Sequence, residues 1–160
     1  EDQDRAPYCR WRDDGHLIAP PGKTTDPARV AREIARLHGE HRIEALAFDR
    51  WRIEDLRREL SAIGCDVELV EWGQGFKDMA PAIDALERLV IDAKLRHGGH
   101  PVLTWCALNA KTAADAAGNR KLDKQKSTGR IDGAVALAMA LGLATRRSGE
   151  TAWEPLVEFL

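Results

Sequence analysis

Two aspartates stand where a divalent cation could be captured. Asp49 closes the short apolar run Ala45-Leu46-Ala47-Phe48, and Asp132 opens an almost uniformly apolar stretch over 130–144. A carboxylate at the C-terminal end of a buried strand faces the crevice where open α/β sheets bind ligands. A second carboxylate, from a helix packed across that edge, can share a cation with it. Hard ions such as Mg²⁺ or Mn²⁺ take carboxylate and water oxygens and keep coordination positions open for phosphate. Two such ions about 3.5–4 Å apart stabilise the attacking and leaving oxygens of phosphodiester cleavage. A plainer chemistry also fits each acid. Asp49 can cap the helix that follows it, and Asp132 can answer the positive end of its own helix. Spacing alone favours capping, because eighty-odd positions separate the two acids.

Other arrangements are weaker. His97 and His100 flank Gly98-Gly99 with no Cys or acid beside them, which reads as a loop rather than a metal site. The sequence contains no GxSxG, HExxH, paired CxxC or GxxxxGK[ST], so it holds no phosphate-cradling loop and no ATP motor of its own. Cys9, Cys65 and Cys106 are odd in number and widely spaced. That pattern argues against a disulfide framework and for a reducing cytoplasm. The net charge of −2 gives no global field for a polyanion. Any nucleic-acid contact must therefore come from local basic groups. These are Arg50, Arg52, Arg57 and Arg58; Lys94, Arg96 and His97; and the densest, Arg120, Lys121, Lys124, Lys126 and Arg130. On charge alone such runs are ordinary solvated surface. Trp51, between Arg50 and Arg52, is a further candidate for a nucleic-acid contact.

The elements that must position these residues read as an α/β chain. The 160 residues suffice for one domain with a core. No apolar run approaches the roughly 20 residues of a membrane span, and the charged start Glu1–Arg5 is unlike a signal peptide. Residues 1–25 read as an irregular segment with at most a short strand at His16–Ala19. Asp26-Pro27 signals a helix start, and Val30, Ile34 and Leu37 make 27–39 amphipathic. Residues 45–48 suit a buried strand, Ile53 to Ile63 a helix, and Val67–Trp72 a second strand, together a parallel βαβ unit. Met79, Ile83, Leu86 and Val90 predict a helix at roughly 79–93. Pro101–Asn109 predicts a short helix with Trp105 inward, Gly118-Asn119 a hairpin turn, and 130–144 a deeply buried helix. The domain expectation is 1–25 as an N-terminal segment, 26–144 as the folded domain and 145–160 as a tail.

Several segments resemble the nuclease region of tailed-phage terminase large subunits. Ala47-Phe48-Asp49-Arg50-Trp51 resembles the family's (Y/F)DRW signature, and Glu71-Trp72-Gly73-Gln74-Gly75-Phe76 its GQGF segment. Leu86-Glu87-Arg88-Leu89-Val90 and Arg96-His97-Gly98-Gly99-His100-Pro101-Val102-Leu103 resemble its LERLV and LRHGGNPVL stretches. Gly118-Asn119-Arg120-Lys121 and Lys126-Ser127-Thr128-Gly129-Arg130-Ile131-Asp132-Gly133 resemble its GN.K and KST.RIDG ending. The resemblance runs in order from about Pro7 to Leu143.

The resemblance implies an RNase H-like mixed sheet flanked by helices. It implies a two-metal endonuclease, using Mg²⁺ or Mn²⁺, that cuts concatemeric double-stranded DNA during packaging. It also implies the small subunit and the portal as partners, and the host cytoplasm as the location. Asp49 matches the family's acid at the end of the fourth strand and Asp132 its acid on the last helix, as catalytic and metal-holding residues. The hairpin at Gly118-Asn119 matches an insertion placed to approach DNA, which makes Arg120, Lys121, Lys124, Lys126 and Arg130, with Arg50 and Arg52, the expected DNA contacts.

One departure stands out. The family's first strand carries a further metal-binding Asp, which belongs upstream of Asp4-Arg5-Ala6-Pro7-Tyr8, where only Glu1–Gln3 stand. Asp13 and Asp14 lie past that place and do not substitute. The expectation is a sheet incomplete at its N-terminal strands, with weak or no cleavage by this stretch alone. The exposed strand edge then predicts a rearranged sheet or strand donation between copies, hence a homo-oligomer. Two readings compete with the nuclease. One is a non-catalytic terminase remnant that binds DNA or docks in the packaging machine. The other is an unrelated α/β binding protein in which both acids are helix caps.

Overall fold

The structure is a computed structural model that describes residues 6–22, 24–49 and 53–148. The chain divides into two compact units, a smaller one over 20–73 and a larger one formed by 1–19 together with 74–160. Each is mixed helix and strand, in keeping with the α/β class expected.

The smaller unit follows from its caps and apolar spacing. Asp26, in extended backbone, accepts from the Ala28 amide at 3.0 Å, and Pro27 takes the first position of α2 (Pro27–Glu40). Strand β1 (Leu46–Phe48) is followed by α3 (Ile53–Ala62) and then β2 (Leu69–Glu71). The strands pair in parallel, with Leu46 opposite Leu69 and Phe48 opposite Glu71. The ladder runs past both ends of the register, with the Leu46 amide donating to Glu68 O and the Trp72 amide to Phe48 O, each at 2.8 Å. The core is Ala31, Leu60 and Val67, with Ile34, Leu46, Leu56 and Leu69 packed around them. The predicted βαβ unit is present. Among the described residues its sheet has two strands, a reduced form of the sheet expected.

The larger unit is a helical stack carrying a hairpin. Its elements are α1 (Tyr8–Asp13), α4 (Phe76–Ile91), α5 (Pro101–Asn109), β3 (Thr112–Ala114), β4 (Arg120–Leu122) and α6 (Asp132–Ser148). Helix α6 packs against α4 and α5. Met79, Ala80, Ala82 and Ile83 of α4 and Val135, Ala138, Met139 and Leu143 of α6 are buried in this unit. The deep burial expected for the last helix is thus present. No helix among the described residues is long and apolar enough to cross a membrane.

Three sequence readings are corrected here. Residues 8–13 form α1, although the segment reads as irregular. Its reason is an aromatic cluster: Trp11 is buried and meets Trp105 edge-on at 5.7 Å between centroids, and Tyr8 meets both rings. His16–Ala19 is not a strand. The amides of His16 and Leu17 both turn back to Trp11 O, and Ile18 is left exposed. Helix α4 also starts earlier than expected. Pro81 lies inside the helix, where it withholds one backbone donor.

A candidate metal and nucleic-acid site

The larger unit's polar site is assembled by the loop between β4 and α6. Asp123 starts it: its carboxylate accepts from the amides of Gln125 and Lys126 at 2.9 and 3.2 Å, and its carbonyl accepts from the Ser127 amide and hydroxyl. This Asx turn fixes the backbone on either side of Lys124. The loop is then pinned to the end of α5. Thr128 Oγ1 donates to Asn109 Oδ1 at 2.7 Å, Asn109 Nδ2 donates to Trp105 O at 2.9 Å, and the Lys111 amide donates to Ser127 Oγ at 3.1 Å. Gly129 lies against the Trp105 indole. The result is a cavity of about 330 Å³ lined by Lys124, residues 127–131 and Asp132.

Asp132 is the first residue of α6, where the helix dipole favours an anion. Its side chain is two-thirds exposed, and Lys124 Nζ donates to Oδ1 at 2.7 Å. The cavity lining sets this carboxylate beside two cationic side chains, Lys124 and Arg130. Asp49 ends β1 in the smaller unit, half-buried, one residue past the ladder with β2. The two acids therefore belong to different compact units. Among the described residues no three His, Cys, Asp or Glu side chains converge as a metal-holding group.

The basic residues singled out by the sequence have distinct fates. In the hairpin, Asp115 accepts from the side chain and amide of Asn119 and the amide of Ala117, each at 2.9 Å. These donors, Asn119 Nδ2 above all, hold the Asp115 carboxyl below its ordinary range. Gly118 takes φ +84°, which the turn requires and which favours glycine. Arg120, on β4, reaches α4: Nη2 lies 2.7 Å from Asp84 Oδ1 and 2.6 Å from Glu87 Oε2, and Nη1 lies 3.2 Å from Glu87 Oε1. Hydrogen bonding to Arg120, then its charge, holds the Glu87 carboxyl below its usual range. Lys121 Nζ sits 5.0 Å from the centre of the Phe76 ring, a cation–π distance. Lys126 and Arg130 are exposed on the loop. Arg50, Arg52 and Trp51 lie outside the described residues.

Sequence reasoning missed the Asn109 hub, the Trp105–Gly129 contact and the Asp84–Glu87 clamp. Only the last had a signal, two acids at i, i+3 on α4, and nothing in the spacing assigned them to an arginine so far along the chain.

Residues 1–148 match the family described as terminase large subunit, endonuclease domain. The chain belongs to that family. It is 54% identical over 141 residues to the terminase large subunit of Enterobacteria phage HK97, covering 88% of this chain and 28% of that protein. It is 27% identical over 139 residues to Protein YmfN of Escherichia coli strain K12, covering 86% of this chain and 30% of that protein. The crystal structure of the HK97 bacteriophage large terminase is similar at a TM-score of 0.84 with 53% identity, over 89% of this chain and 30% of that one. The chain thus spans less than a third of the relatives it matches, and their likeness supports the RNase H-like nuclease fold expected.

Proposed function

We propose that this chain is the metal-dependent endonuclease region of a DNA-packaging terminase, cutting concatemeric double-stranded viral DNA in the host cytoplasm. The observation that carries the reading is the family match over residues 1–148, which takes in both Asp49 at the end of β1 and Asp132 at the start of α6. Asp49 and Asp132 are the residues that would hold Mg²⁺ or Mn²⁺. The ion, when bound, supplies charge to polarise the phosphodiester and to lower the pKa of an attacking water.

The chain's own residues do the positioning. The α6 dipole and the 123–129 loop orient Asp132, while β1 presents Asp49. Backbone phosphates are held by Lys121, Lys126 and Arg130, with Arg50 and Arg52 as further contacts. Arg120 fixes the hairpin to α4, and Lys124 is engaged by Asp132. The small terminase subunit and the portal are the proposed assembly partners, and the β1–β2 sheet edge is the proposed place for pairing with a second copy.

The Lys124–Asp132 pair also favours a second reading, because it leaves Asp132 paired to a side chain: a non-catalytic terminase remnant that binds DNA or docks in the packaging machine. Mn²⁺ titration of the wild-type chain beside Asp49→Ala and Asp132→Ala tests the choice. The nuclease reading expects both substitutions to weaken Mn²⁺ binding. Equal binding by all three proteins leaves only the remnant.

A further inference from the structure

We propose that the apolar groove between α4, α5 and α6 is the docking surface of the chain's own residues 149–160, which follow α6 directly. The inference is independent of the metal-site reading above. The groove lies in the larger unit, a cavity of about 440 Å³ whose lining includes Leu86 and Val90 of α4, Leu103 and Leu108 of α5 and Leu137 of α6. Two of these are left open to solvent, Val90 at 57% and Leu108 at 78% exposure, and Ile91 beside Val90 is 76% exposed. Bulky apolar side chains gathered at one concave place, rather than scattered singly, mark a surface that gains by being covered.

The sequence after α6 has the chemistry that fits. Trp153, Leu156, Val157 and Leu160 recur at the i, i+3, i+4, i+7 spacing of one apolar helix face. Glu150, Glu154 and Glu158 recur four apart along one flank of that face. The described lining of the groove contains no carboxylate; its one titratable side chain is His97. Lys94 and Arg96, just before His97, are exposed. Lys94 stands 4.0 Å from Asp92, which leaves Arg96 as the principal cation there. An apolar stripe with an acidic flank thus matches an apolar cavity beside a basic segment, and such charge matching sets the register of docking.

The reach is sufficient. Leu137 lies about three turns, roughly 17 Å, before Ser148 along α6. Residues 149–160 span about 18 Å at helical rise and about 40 Å fully extended, so a chain folded back along α6 arrives at the groove in either form. Ala140 and Ala144 share the stripe of α6 that runs from Leu137 to Ser148, and neither presents bulk. A segment tethered this closely acts at an effective concentration on the order of millimolar, which favours it over a second copy.

Methyl NMR of the full chain tests the proposal. A nitroxide is attached at Phe159→Cys, off the apolar face. Cys9→Ser and Cys65→Ser remove the other reachable thiols, and Cys106 is buried. The expected result is selective loss of the Val90, Leu103, Leu108 and Leu137 methyl signals, restored when the nitroxide is reduced. Leu108→Glu sets a carboxylate in the groove, at a position exposed enough to leave the fold standing. It is expected to return most of the lost signal at Val90, Leu103 and Leu137. Groove methyls undimmed by the nitroxide overturn the proposal, and so does a loss unchanged by Leu108→Glu. Equal loss in a mixture of isotope-labelled chain without nitroxide and unlabelled chain carrying it also overturns it, since a second copy is then the occupant.

Discussion

Gly129 and Trp105 meet so closely that a methyl group on Gly129 would lie 2.7 Å from Cη2 and 2.9 Å from Cζ2 of the indole. The ring cannot simply retreat. Tyr8 and Trp11 lie against it at centroid distances of 6.4 and 5.7 Å, and Trp11 is buried. This contact joins the aromatic cluster to the loop that leads into Asp132. Gly129→Ala is therefore expected to destabilise the fold by about 1–3 kcal/mol, the usual cost of forcing volume into a packed contact. Urea denaturation monitored by tryptophan fluorescence reads it. Gly118→Ala is the comparison, since nothing lies within 4 Å of its missing Cβ and only its positive φ opposes the change; about 1 kcal/mol is expected. Equal effects at the two positions would remove the steric argument.

Arg120 gives a pH prediction. Its guanidinium holds the Glu87 carboxyl below the ordinary range. A group depressed in the folded state contributes stability that is fully present above its unfolded pKa and is lost as pH falls through the folded value. Wild type is thus expected to lose stability on acidification below the usual carboxylate range. Arg120→Ala returns Glu87 toward its ordinary value and flattens that loss. Thermal melts of the two proteins at neutral pH and at stepped acidic pH check it. At neutral pH the substitution is expected to lower Tm by less than Gly129→Ala does, because all three partners are substantially exposed.

These relationships mark where the sequence was legible. Asp26-Pro27 announced α2, the run ending at Asp49 announced β1, Gly118-Asn119 announced the hairpin turn, and the apolar stretch after Asp132 announced α6. Each signal is local, a cap, a turn residue or a period, and local chemistry decides those elements. Helix α1 was illegible because its six residues are held by Trp105, far along the chain, and propensity carries no record of such a partner. The start of α4 was misplaced because the apolar period begins at Met79, whereas the helix already starts at Phe76 after Gly75. The basic run 120–130 was visible as charge, but its division into a clamped Arg120, a ring-bound Lys121 and an acid-bound Lys124 depends on tertiary neighbours. Nothing in the spacing joins Asp49 to Asp132; only the family resemblance proposes them as one site.

Asn109 offers a test of the loop's support. It accepts from Thr128 Oγ1 and donates to Trp105 O. Asn109→Ala removes both bonds and is expected to cost about 1–2 kcal/mol. Asn109→Asp keeps the acceptor for Thr128 and loses the donor to Trp105 O, so an intermediate cost is expected. Urea denaturation ranks the three proteins. An Asp variant as unstable as the Ala variant would show that the Thr128 bond contributes nothing.

The clamp on Arg120 also separates it from its basic neighbours in DNA binding. Lys126 is exposed on the loop, whereas Arg120 faces two carboxylates within 2.7 Å. A cation already neutralised by protein carboxylates releases few DNA counterions, so its removal leaves the salt dependence nearly unchanged. Each phosphate contact contributes about −0.9 to the slope of log K against log salt on duplex DNA. Lys126→Ala is expected to make that slope shallower by about one contact, and Arg120→Ala by clearly less. Fluorescence anisotropy of a labelled duplex, titrated at four or five salt concentrations without divalent metal, measures the slopes. A full unit lost with Arg120→Ala and none with Lys126→Ala would move the DNA path from the loop to the α4 side of the hairpin.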